Sequence, residues 1–151
     1  MNRVLLVVCR VVLGAIFLYA AASKVPDMAA FAKDVANYRL LPAALVPWTA
    51  AIVVGVELAT GLALVAGVGA RAAALVAASM LTLFIAGVSQ ALLRGIDLRC
   101  GCFGGEESAT WGTVARDVAM LAPAIAVAWL GPGGLRNRER HADDITSASA
   151  R

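Results

Sequence analysis

The chain has 151 residues, 61% of them hydrophobic and only 15% charged, with a mean hydropathy of +0.82. This balance excludes an ordinary soluble globular domain and reads as a membrane protein. The net charge of +3 is spread among loops and a tail, so no nucleic-acid footprint is visible, and the single histidine, His141, removes most haem, copper and zinc chemistry, leaving no metal site to expect.

Four segments are apolar over enough residues to cross a hydrocarbon core of about 30 Å, which takes about 20 helical residues. They run from Val4 to Ala22, Val46 to Gly67, Ala70 to Leu93 and Gly112 to Leu130. The first imitates a cleavable leader, because Ala20-Ala21-Ala22 precedes Ser23. Arg10 interrupts its apolar run, however, and nothing after Ser23 begins an independent soluble domain, so the first span is expected to be retained.

Between the first two spans, Pro26-Asp27 marks a helix entry and Pro42 an exit. Met28, Phe31, Val35 and Tyr38 share one helical face, with Lys33, Asp34 and Asn37 elsewhere, which predicts a short helix in the membrane interface within Asp27 to Leu41. The second span carries a small residue at every fourth position, Ala51, Gly55, Ala59, Ala63 and Gly67. The third repeats this with Ala70, Ala74, Ala78, Thr82 and Ala86, and such stripes let helix backbones approach closely in lipid. The expected fold is an all-α membrane protein, four transmembrane helices in a bundle over residues 1–130 with the interfacial helix between the first two, followed by a disordered tail over 131–151.

Four crossings put the loops after the first and third spans on one side and both termini on the other. Arg136, Arg138 and Arg140 lie close behind the last span, where the positive-inside bias acts, so both termini are expected to be cytoplasmic. The loop after the third span then faces an oxidising exterior.

That loop holds Cys100-Gly101-Cys102-Phe103-Gly104. Thiols one residue apart can sit roughly 5.5 to 7 Å apart at Cα, which overlaps the window that a disulfide needs. A bridge across so small a loop adds little by chain entropy, whereas a strained, exposed disulfide is labile, which favours redox exchange over a structural role. Cys9 lies on the first span, roughly 20 Å from that face, and reads as packing.

Ionisable residues inside a bilayer are costly and by default signal function or pairing. Arg10, Glu57, Arg116 and Asp117 fall within the spans, and Lys24 at the edge of the first. Arg10 or Arg116 is a candidate partner for Glu57, and Lys24 for Asp117. The expected role is an ion-pair network that fixes helix packing, with substrate or proton handling as the alternative.

Taken together, Gly14, Phe17 and Lys24 in the run from Arg10, then Phe31, Tyr38-Arg39-Leu40-Leu41-Pro42, Glu57 with Gly61, the Cys100 to Gly104 loop and Arg116-Asp117 resemble the MauE (methylamine utilisation) branch of the DoxX-like membrane proteins. The resemblance extends over nearly the whole chain up to Leu130. It implies a four-helix protein linked to disulfide formation or thiol redox in exported proteins, often beside a thioredoxin-like partner; this chain has no fused thioredoxin domain, so such a partner is separate. MauE itself is associated with maturation of methylamine dehydrogenase, whose small subunit is rich in disulfides. The cysteine pair ahead of the fourth span is also similar to vitamin K epoxide reductase-type enzymes, although those use C-x-x-C and a second loop pair that is lacking here, so a quinone is a cofactor by analogy only.

The expected function is therefore a membrane thiol-disulfide redox protein acting through Cys100 and Cys102. A small transporter using Glu57, and a non-catalytic assembly subunit of a respiratory or oxidase complex, are the alternatives.

Overall fold

Proline and glycine stand at most of the helix ends, while Thr110 caps the start of the last helix and Pro123 lies within it. A computed structural model describes residues 3–96 and 109–131. The helices are α1 (Arg3–Lys24), α2 (Met28–Asn37), α3 (Val46–Ala66), α4 (Ala70–Leu93) and α5 (Trp111–Leu130), and among the described residues there is no strand. Four of the helical stretches are long and apolar enough to cross a membrane, in agreement with the sequence reading.

Local chemistry accounts for the boundaries of α2, α3 and α4. Pro26 enters a 3-10 turn, Val25–Asp27, and the Asp27 side chain accepts a hydrogen bond from Ala30 N–H to cap α2. Beyond α2, Arg39 takes a left-handed conformation at φ 52°, which ends the helix. Pro47 sits in the first turn of α3, where its missing N–H is not needed. At the far end Gly67, with φ 76°, closes α3 by donating its N–H to Ala63 O and Leu64 O. Gly95, at φ 66°, ends α4 in the same manner, with Ile96 N–H reaching back to Ala91 O at 3.0 Å.

α1 packs mainly on α3 and α4 mainly on α5, while contacts of α1 with α5 and α3 with α4 close the ring. The central core joins all four through Leu13 and Phe17, Leu64, Ala74 and Leu81, and Val127. Cys9 is partly buried against this core, consistent with a packing role. α2 docks on the first half of α3, where Phe31 clusters with Ala21, Ala50 and Val54. The apolar face predicted for α2 is thus the buried one, with Phe31 at its centre and Lys33 exposed.

The predicted small-residue stripes need correction. On α3, Ala51, Gly55 and Ala59 are exposed, and on α4 only Ala70 and Ala74 of the five are buried. The close crossing is instead Gly14 of α1 against Gly61 of α3. A Cβ on Gly14 would stand 3.0 Å from Gly61 O, and one on Gly61 would stand 3.0 Å from Gly14 O. A strict four-residue spacing drifts about 40° per step around a helix of 3.6 residues per turn, so such a stripe leaves any one face. The buried positions of α3, Val46, Ala50, Val54, Glu57, Thr60, Gly61 and Leu64, mix steps of three and four and stay on one face.

Candidate functional site

The antiparallel register of α1 and α3 decides which charges meet. Arg10 lies beside Gly67, Gly14 beside Gly61, and Lys24 reaches Glu57, so positions rise along one helix as they fall along the other. Lys24 Nζ donates to Glu57 Oε1 at 2.8 Å, to Glu57 Oε2 at 2.9 Å and to Ala20 O at 3.1 Å. The two side chains are 1% and 4% exposed, which removes the ion pair from solvent. The ring of Phe31 covers the ammonium at 5.3 Å from its centroid. One buried constellation therefore joins the end of α1, the start of α2 and the middle of α3.

A second pair lies on α5. Arg116 donates through Nε and Nη2 to Asp117 Oδ1 at 3.2 and 3.1 Å. The two are unequally placed, because the Arg116 side chain is 42% exposed and that of Asp117 only 4%. Asp117 thus turns into the bundle while its neighbour holds it from outside.

These partners differ from those the sequence suggested. Glu57 meets Lys24 rather than Arg10 or Arg116, and Asp117 meets Arg116 rather than Lys24. Arg10 stands beside Gly67, ten residues along α3 from Glu57, or about 15 Å of helical rise, beyond the reach of a side chain. Phe31 is the participant that the sequence reading did not assign to the charges. Its signal was present, since Lys24 and Phe31 are seven residues apart on an almost continuous helical path.

Cys100 and Cys102 lie outside the described residues, as does the tail from residue 132. Their flanks are described. Val88 and Ala91 of α4, Ala109, and the partly buried Tyr38, Ile96 and Val114 form one apolar cluster. Tyr38 also stands next to Gly87, its ring 3.5 Å from where a Cβ would be. The two ends of the segment bearing the cysteines are therefore drawn together, beside the end of α2. Among the described residues no group of histidine, cysteine, aspartate and glutamate side chains is arranged to hold a metal ion.

Comparison with known proteins gives two findings. The family model described as methylamine utilisation protein MauE matches residues 2–130. The methylamine utilization protein MauE of Paracoccus denitrificans is 34% identical over 122 residues, which covers 79% of this chain and 66% of that protein, just under two thirds of its length. No solved structure matches.

Proposed function

The chain belongs to the MauE family, and from that premise we propose that it is a membrane thiol-disulfide redox protein, serving exported proteins in methylamine utilisation through Cys100 and Cys102. The observation that carries this reading is the placement of two thiols, one residue apart, on a segment whose ends are gathered by the cluster of Val88, Ala91, Ala109 and Val114. A short tether and a local pair suit exchange chemistry better than chain stabilisation.

In the proposed step a thiolate of the pair attacks a disulfide of a thioredoxin-like or other exported protein. One S–S bond of that protein breaks, a mixed disulfide forms, and one partner thiolate leaves and takes up a proton. The second thiolate of the pair then attacks the mixed disulfide and releases the partner as a dithiol. The pair ends oxidised by two electrons and the partner reduced by two; the reverse sequence oxidises a client dithiol. The loop faces the exterior and both termini the cytoplasm in this reading, which places the chemistry where disulfides persist.

The two ion pairs supply the frame. Both oxygens of Glu57 are engaged by Lys24, which supports a fixed strut between α1 and α3 in preference to a carboxylate that collects a transported cation. No cofactor is needed for the exchange step itself.

The test is to replace Cys100 and Cys102 by serine in turn and together, and to run membranes on non-reducing gels. The single variant that keeps the attacking thiol accumulates a mixed disulfide with a partner, and the double variant does not. If neither single variant captures a thiol protein, and the thiols of the unmodified chain show no change of redox state in membranes, the reading fails.

A further inference from the structure

The turn between α3 and α4 collects positive charge that no carboxylate among the described residues balances. Arg10, carried past the turn by α1, lays its guanidinium against Gly67, where a Cβ would stand 2.6 Å from Nη1 and 2.9 Å from Cζ. Glycine is favoured there by its φ of 76°, and its missing side chain leaves room for this approach. The Arg10 Nε is buried and has no hydrogen-bond partner. The adjacent α3 carbonyls of Ala63 and Leu64 are already engaged by Gly67 N–H, at 2.9 and 3.3 Å.

Two further features point the same way. α4 starts directly after the turn at Gly69, which has no side chain to cap the first-turn amides, and Arg71 is exposed in that first turn. Of the described carboxylates, Asp27 and Asp34 lie beyond the other end of α1, while Glu57 and Asp117 are paired with Lys24 and Arg116. Around the turn, Val4, Leu5, Val7, Val8 and Val68 are exposed. The surface is a cationic turn flanked by exposed apolar side chains.

We propose that Arg10 and the α3–α4 turn bind the phosphate of an anionic membrane phospholipid, with Arg71 as the second cation. A guanidinium presents paired donors that match phosphate oxygens. The positive end of α4 adds to the attraction. The flanking apolar side chains select a phosphate that arrives with acyl chains over free phosphate in water. This site stands independently of the thiol chemistry, at the opposite end of the bundle.

The experiment uses the full chain, purified in a mild detergent and stripped of lipid, with thermal unfolding followed as phosphatidylglycerol, phosphatidylcholine or inorganic phosphate is added. Phosphatidylglycerol raises the unfolding temperature saturably and more strongly than phosphatidylcholine, and inorganic phosphate at millimolar concentration does not. Arg10→Gln raises the half-saturating phosphatidylglycerol concentration by about tenfold, the size of one charge-assisted contact. Arg10→Lys, which keeps the charge and loses the fork, falls between. Should Arg10→Gln not fold, Arg71→Gln, at an exposed position, carries the same comparison with a smaller shift. Unshifted titrations in the folded variants, or equal responses to the two lipids, overturn the proposal. Saturation by inorganic phosphate alone overturns the phospholipid as its occupant.

Discussion

Lys24 and Glu57 each lose their hydration on entering the bundle, and what offsets that loss is geometry: two contacts under 3 Å between them, a third to Ala20 O, and the face of Phe31 over the ammonium. Removing one partner leaves the other as an uncompensated buried charge. Glu57→Gln or Lys24→Met is therefore expected to destabilise the bundle by about 3–5 kcal/mol, while Lys24→Met combined with Glu57→Leu recovers most of the loss. Denaturant unfolding in detergent checks this; equal losses in the double variant and the sum of the singles would show that the pair is uncoupled. All five intramembrane charges were legible as residues. The Lys24–Glu57 pairing was not, because it depends on the offset between α1 and α3, which no spacing within either helix records.

At the scale of helices, the α1–α3 contact turns on two glycines. Neither Gly14 nor Gly61 has room for a side chain, since each Cβ would press on the carbonyl oxygen of the other within 3.0 Å. Gly55, on the same α3, has nothing within 4 Å of its Cβ position. The expectation is a contrast measured by melting temperature in one detergent. Gly14→Ala and Gly61→Ala destabilise by about 1–3 kcal/mol through forced separation of the helices. Gly55→Ala is neutral or stabilises by up to about 1 kcal/mol through helix propensity alone. α2 shows the opposite balance, its apolar face and its Asp27 cap both being readable from sequence because they are local. Which helix that face covers was decided by α3.

Across the whole molecule the three tryptophans, all exposed, sit at helix ends: Trp48 near the start of α3 and Trp111 at the start of α5 on one side, and Trp129 near the end of α5 on the other. About 27 Å of helical rise separates Trp111 from Trp129, close to the thickness of a hydrocarbon core, and interfacial aromatics mark such boundaries. The segment bearing Cys100 and Cys102 follows α4 on the Trp111 side, and Cys9 lies towards the other. In intact cells, after mild reduction, a membrane-impermeant maleimide is expected to label Cys100 and Cys102 but not Cys9; labelling that needs permeabilised cells would reverse the proposed orientation. Hydropathy, proline and glycine by themselves determined the number of spans and their limits within one or two residues, because these follow from length and local backbone chemistry. Only the tertiary structure decided that Gly14 meets Gly61, that Lys24 answers Glu57 beneath Phe31, and that Arg10 lies against Gly67 at the α3–α4 turn. Each of these rests on helix register, and in an apolar chain rich in alanine many registers bury similar surface until a close glycine contact and a buried charge select one.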